Sequence, residues 1–166
     1  MSIGAVRFDP ENNKMGDDGF YASISIDSNL VAGRQVSEDT LLWWLKQSSQ
    51  AQAVFHEPKH ALDASLESFN EWFGTGRDAK DIMIWSNGAD FDLPMLAHAY
   101  HLFGWEPPWQ FFNSRCVRTF KNLPGAKAIT IEKVGVAHNA LSDAINQARL
   151  VQAIHANLFG TKRVSA

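Results

Sequence analysis

Three side chains have the types and settings for acid–base or cation chemistry: Asp92, His138 and Asp143. Asp92 closes the stretch Ile82-Met83-Ile84-Trp85-Ser86-Asn87-Gly88-Ala89-Asp90-Phe91-Asp92, with Leu93-Pro94 after it. The short apolar run reads as a buried strand, Asn87-Gly88 ends it in a turn, and Asp92-Leu93-Pro94 opens a helix. A carboxylate is thereby delivered to the end of a core strand. Losing its hydration there costs stability unless it is paired or holds a cation, which makes Asp92 a candidate metal ligand. The plainer reading is that Asp90 or Asp92 caps the following helix.

The other stretch is His138-Asn139-Ala140-Leu141-Ser142-Asp143-Ala144. Asn139 is a plausible N-cap, which leaves His138 in the preceding loop and puts Asp143 at the start of the helix. Imidazole is the side chain suited to moving protons near neutral pH, and a loop leaves it reachable by solvent. Asp143 by itself could be a favourable charge near a helix N-terminus. Together, a strand-end Asp, a loop His and a helix-start Asp are the equipment for metal-assisted hydrolysis of a phosphodiester. Ser142 or Cys116 with His138 is a weaker alternative, because neither sits in a nucleophile-elbow setting.

The elements that must position these groups fit one α/β domain. The 166 residues, 45% hydrophobic and 20% charged, suit a single globular domain spanning residues 1–166 with a sizeable core. A single cysteine excludes an internal disulfide, and no stretch has the length and apolarity of a signal peptide or membrane span, so a cytoplasmic protein is expected. The net charge of −3 means that a nucleic-acid partner would be held by a local patch or through cations. Residues 113–133 provide such a patch, with Arg115, Arg118, Lys121, Lys127 and Lys133 against Glu132. Residues 37–92 carry the opposite balance, ten acids against four bases.

Residues 2–8 alternate like a strand, Asp9-Pro10-Glu11-Asn12-Asn13 is turn chemistry, and residues 19–27 read as a second strand with Phe20, Ala22, Ile24 and Ile26 on one face. Ser37-Glu38-Asp39-Thr40 starts a helix expected to run to about Gln50. Its adjacent Trp43 and Trp44 cannot share a helical face, so one is expected in the core and one at a partly exposed surface. Residues 61–73 form a helix ended by Gly74, and residues 93–103 another that carries His98 and His101. That histidine pair lacks a third ligand in register and reads as packing and surface. Gly74-Thr75-Gly76-Arg77-Asp78-Ala79 spells a dinucleotide-loop pattern in the wrong setting, after a helix and before a strand, and is rejected. Pro107-Pro108-Trp109-Gln110-Phe111-Phe112 is a rigid aromatic connection, residues 117–120 a short strand or helical turn, and Asn139 to Gly160 a long closing helix. Strands first, then strand and helix in alternation, indicate a three-layer α/β domain.

The order Asn87-Gly88-Ala89-Asp90-Phe91-Asp92, then His138-Asn139-Ala140-Leu141-Ser142-Asp143-Ala144, closely resembles the second and third motifs of the DnaQ-like (DEDDh) 3′-to-5′ exonucleases. Residues 2–9, Gly33-Arg34, Trp43-Trp44 with Gln47-Ser48, and Arg115 with Arg118-Thr119 resemble the phage and bacterial subgroup related to exonuclease VIII. The resemblance implies an RNase H-like fold, a mixed sheet flanked by helices, and two Mg²⁺ or Mn²⁺ ions held by four acids. It further implies Asp92 and Asp143 as ligands and His138 as the base that activates water. Asn87, Phe91 and Trp44 would line the terminal nucleotide, with Arg115 and Arg118 beside the backbone of a single-stranded DNA or RNA 3′ end. The family's first motif, Asp-x-Glu on an opening strand, has no counterpart before residues 2–8, so the chain reads as starting one strand late. Asp9-Pro10-Glu11 matches by letter and belongs to a turn. An inactive remnant acting as a nucleic-acid-binding module is the second reading. Trp43, Trp44 and the Trp109 region form a candidate homodimer face.

Overall fold

The computed structural model describes residues 1–74 and 81–160. The rejected dinucleotide-loop pattern runs over residues 74–79, and all of it after Gly74 lies outside the described residues. The chain opens on an antiparallel hairpin of β1 (Ser2–Asp9) and β2 (Lys14–Ser23). Asp9 makes its turn: Oδ1 accepts from the backbone N–H groups of Glu11 (2.8 Å) and Asn12 (3.3 Å), and Oδ2 from Asn12 Nδ2 (2.6 Å). Asn13 takes the left-handed conformation, φ 53°, that asparagine tolerates. The carboxylate that could have stood in for a first acidic motif is therefore the clasp of a turn.

These bonds favour the ionised carboxylate, first through the Asn12 side chain and then through the Glu11 N–H, and hold Asp9 below its ordinary value of 3.8. A depressed acid contributes stability above its unfolded pKa and loses it as pH falls through the folded one. Asp9→Ala is therefore expected to lower the melting temperature by roughly 2–4 °C at neutral pH. In thermal melts across a pH series, that difference should fade below pH 3.8.

The second strand differs from the sequence expectation at both ends. It begins at Lys14, and it stops at Ser23 because Ser25 caps a helix, α1 (Ile26–Val31), by accepting from Ser28 N–H at 3.2 Å. A serine cap with Asp27 in the first turn outweighs the apolar alternation, and Ile26 leaves the strand face. The next helix, α2 (Glu38–Trp44), is capped by Ser37 as expected and ends six residues short of Gln50. Ser48 caps a separate turn, α3 (Ser49–Gln52), and Gln52 Nε2 reaches back to the carbonyls of Trp44, Leu45 and Gln47 at 3.1–3.2 Å. The orphan carbonyls at the end of α2 are thereby satisfied.

The main core lies between β2, α4 (Leu62–Phe73) and α5 (Asp92–His101). Leu62, Leu66, Phe69 and Phe73 form the buried stripe of α4, and Phe20 meets Phe69 edge to face at 5.2 Å. Tyr100, fully buried, donates to Asn70 Oδ1 at 2.7 Å, which makes its burial tolerable. Trp109 is only 7% exposed and packs on Phe73 and Tyr100, so it is core and not part of an exposed aromatic face. The exposed aromatics of that connection are Phe111 and Phe112.

Two short strands, β3 (Ile84–Ser86) and β4 (Ser114–Cys116), pair in parallel, and α6 (Val117–Lys121) follows directly. The described strands thus make two separate two-stranded sheets, where one mixed sheet was expected. Side chains bridge them: Phe8 of β1 and Trp85 of β3 have ring centroids 6.3 Å apart. The chain closes on α7 (Ala140–Phe159), capped by Asn139 and ended by Gly160, in agreement with the sequence reading. Its first turn lies directly on β1 and β2, with Ala140 and Leu141 over Gly4 and Leu141 over Gly19. No helix among the described residues is long and apolar enough to cross a membrane.

Candidate active site

The geometry of His138 and Asp143 is set by a loop strapped onto α7. Asn139 Oδ1 accepts from Ser142 N–H at 3.0 Å and starts the helix. Ser142 Oγ in turn accepts from Val136 N–H at 3.3 Å, so its hydroxyl holds the loop. One turn on, Asn146 exchanges two 2.9 Å bonds with the backbone of Val134, and Arg149 donates to the Glu132 carbonyl at 2.9 Å. The loop runs so close that a Cβ on Gly135, itself at φ 75°, would strike the Ser142 side chain. His138 absorbs the final bend with φ 65°, a left-handed conformation uncommon for a residue with a side chain.

The consequence is a base candidate held beside an acid. Asp143 is half-buried one turn into α7, and His138 is exposed at the loop end. Burial pushes the Asp143 carboxyl above its ordinary value, opposed by the charge of His138, by the His138 backbone N–H and by Lys133. An acid that is less comfortable ionised than in water and faces a histidine is a common signature of a working site.

On the open side of His138 stand both tryptophans of α2. Its imidazole meets Trp43 edge to face at 4.9 Å and Trp44 at 6.2 Å, and Trp44 also packs against Phe55 at 5.3 Å. Trp43, 42% exposed, is the partly exposed tryptophan that was expected, whereas its neighbour Trp44 is only half-buried and not in the core. They share a partner because α2 ends at Trp44, and the His138 loop comes up to that end rather than to one face.

Asp92 occupies a different setting. It opens α5 at the end of the β3 turn, is exposed, and accepts through Oδ2 from the backbone N–H of Asn87 at 3.2 Å. The carboxylate thus fastens its own turn, leaving the Asn87 side chain at the surface. Beside it an open cleft of about 440 Å³ is lined by Gly88, Asp90, Phe91, Cys116, Arg118 and Thr119 among others. Phe91 presents its ring there, 63% exposed, and Arg118 is exposed with no ion pair among the described residues. Arg115 differs. Its guanidinium donates to the carbonyls of Phe112 (2.9 Å) and Ser114 (3.0 Å) and to the Met83 sulfur (2.9 Å), and so braces the loop before β4.

Cys116 caps α6 by accepting from Thr119 N–H at 3.4 Å, and the Thr119 hydrogen bonds hold its thiol below the ordinary range. Cys116 thus serves as the cap of α6 and Ser142 as the tie of the His138 loop. His98 and His101 lie in the last turn of α5, with His101 3.8 Å from Glu106.

Among the described residues, no three His, Cys, Asp or Glu side chains lie close enough together to hold a metal ion. Asp92, His138 and Asp143 do not by themselves fit a two-ion centre. Sequence reasoning missed Trp43 as a neighbour of His138, and also Thr119 and Asn122 in the cleft. Only the placement of the His138 loop against α2 connects the first pair, and no sequence spacing records it.

Small sheets walled by helices, with an imidazole and a carboxylate at one loop–helix junction, are consistent with a nuclease-like α/β domain. Residues 1–155 match the family model described as the 3′-5′ exoribonuclease Rv2179c-like domain, and the chain belongs to that family. No curated protein and no solved structure matches the chain.

Proposed function

We propose that this protein shortens single-stranded RNA from its 3′ end by hydrolysis, with His138 as general base and Asp143 as its acidic neighbour. The observation that carries the reading is the strapped loop. It presents an exposed imidazole, at a strained φ of 65°, beside a half-buried carboxylate whose pKa burial has raised. The family match over residues 1–155 supports the reaction class and RNA as substrate.

In this reading His138 takes a proton from water as the oxygen attacks the phosphorus of the last phosphodiester; the bond from that phosphorus to the 3′ oxygen of the penultimate nucleotide breaks, that oxygen takes a proton from solvent, and a nucleoside 5′-monophosphate leaves. A positioned base of this kind contributes roughly 10²–10⁴-fold. Arg118, exposed and without an ion pair among the described residues, is placed to meet a backbone phosphate, and the exposed ring of Phe91 offers a face on which any base can stack. Arg115, engaged with two carbonyls and a sulfur, acts here by shaping the same loop.

The finer assignment to the DEDDh group, with an RNase H-like sheet, is proposed on the two motifs at Asp92 and at His138 to Asp143. Among the described residues β1 pairs with β2 and β3 with β4, so that reading rests on the motifs and the α/β class of the domain. The Mg²⁺ or Mn²⁺ ions implied by the resemblance enter no step above, because the gathered donors fall short of a site.

The test uses 5′-labelled RNA and DNA oligonucleotides of one sequence, with Mg²⁺, with Mn²⁺ and with chelator. A ladder of products shortened from the 3′ end, absent when that end is blocked and absent with His138→Ala, is the expected result. Intact RNA under every condition would remove the nuclease reading. A stable complex without cleavage would instead favour the binding module.

A further inference from the structure

The residue pair that neither the proposed chemistry nor the core uses is Trp43 with Trp44. Helix α2 buries none of its residues, so it contributes little to the core. Its C-terminal end does have one specific task. Trp43 and Trp44 cross edge to face at 5.1 Å and 80°, and Trp44 leans on Phe55 at 5.3 Å and 82°. Both rings point at the same imidazole, Trp43 at 4.9 Å and 83°, Trp44 at 6.2 Å and 78°. Phe55 belongs to a short helical turn, Ala53–Phe55, anchored on the hairpin by Lys59, which donates to Ser23 Oγ at 2.6 Å and to the Val54 carbonyl. The wall behind His138 is therefore fixed to the hairpin.

The imidazole itself has no hydrogen bond among the described residues. Its backbone is held by the strap to α7, and its ring meets the edges of Trp43 and Trp44 while interacting with the charge of Asp143. Edge-to-face packing is directional, so it can choose one rotamer of an otherwise exposed side chain. We propose that Trp43, braced by Trp44, is a positioning residue that holds the His138 ring in the orientation from which it accepts the proton of water. The inference rests on the nuclease reading of His138, and it adds that the face of α2 exists to aim the base.

The test compares Trp43→Ala and Trp43→Phe with wild type in two measurements. In steady-state trimming of a labelled RNA, Trp43→Ala should lower kcat roughly 10- to 100-fold with KM within about twofold, because a misaligned base damages the chemical step more than binding. Trp43→Phe, which keeps an aromatic edge, should recover most of the loss. In proton NMR the His138 ring signals, assigned by their disappearance in His138→Gln, should be displaced by Trp ring currents in wild type and should return towards free-imidazole positions in Trp43→Ala. Trp43 is 42% exposed, outside the core, so both variants should remain folded with at most a modest drop in melting temperature, smaller for Trp43→Phe.

A Trp43→Ala loss confined to KM would overturn the proposal and make Trp43 a substrate contact. His138 signals that sit at free-imidazole positions in wild type would overturn it as well. Failure of wild type to cut RNA would defeat the nuclease reading, while the NMR comparison would still decide whether Trp43 holds the ring.

Discussion

Replacing Asp143 by Asn is expected to abolish 3′-end trimming while leaving the protein slightly more heat-stable at neutral pH. The two effects share one cause. Burial at the start of α7 raises the Asp143 pKa above its ordinary 3.8, against the opposing pull of His138, its backbone N–H and Lys133. An acid whose folded pKa is raised costs the fold stability once pH exceeds that value, because the unfolded chain solvates the charge better. The cost is absent below pH 3.8, where the group is protonated in both states. Asparagine is nearly isosteric and carries no charge to desolvate, so Asp143→Asn removes the cost at pH 7. The attraction of a first-turn acid to the helix dipole works the other way by about 0.3–1 kcal/mol, which limits the gain to roughly 1–3 °C in melting temperature.

Activity should fall by at least about 10²–10³-fold, the usual consequence of deleting one preorganised electrostatic group from a reaction centre. Melting curves at pH 7 and pH 3.5, with a trimming assay at pH 7, measure both. A variant that melts below wild type at pH 7 would show that the carboxylate is a structural partner instead of a strained functional group.

The second large effect is expected at Gly4. This residue lies mid-strand in β1, where glycine is ordinarily a weakness. Its reason is the first turn of α7. A Cβ at Gly4 would strike the backbone of Ala140 and Leu141, and no rotamer change can move a backbone aside. Gly4→Ala must therefore lift the helix end off the strand, an overpacking cost of about 1–3 kcal/mol, or roughly 2–12 °C in melting temperature.

Gly19→Ala is the built-in comparison. Its added carbon would meet the Leu141 Cδ1 methyl at 2.9 Å, and a side-chain tip can turn away, so the loss should be smaller. Because Asp143 follows Ala140 in the same helix, Gly4→Ala should also lower trimming in whatever fraction remains folded. Equal melting temperatures for Gly4→Ala and wild type would mean that α7 does not press on β1 as closely as the structure has it.

Local chemistry was legible in the sequence wherever a few neighbouring residues settle the outcome. Asn139 and Ser37 cap their helices, Gly74 and Gly160 end theirs, and Asp9 closes its turn, because each interaction is completed within about four residues of chain. The same locality put His138 in a loop and Asp143 at a helix start before any fold was known. Where local signals competed, the reading erred. The Ser25 cap cut a strand short at Ser23, and the Ser48 cap with the Gln52 amide split one expected helix into two.

Contacts between distant segments were decided only by the tertiary structure. Trp109 is core because Phe73 and Tyr100 close over it, and Arg115 is a brace because two carbonyls and Met83 surround its guanidinium. Among the described residues the strands form two separate pairs, a fact of hydrogen bonding between strands that alternation within a strand does not encode. The meeting of Trp43 with His138 is of the same kind. A cap is a bond to a near neighbour along the chain, whereas an aromatic wall behind a loop histidine depends on where two independently folded segments come to rest.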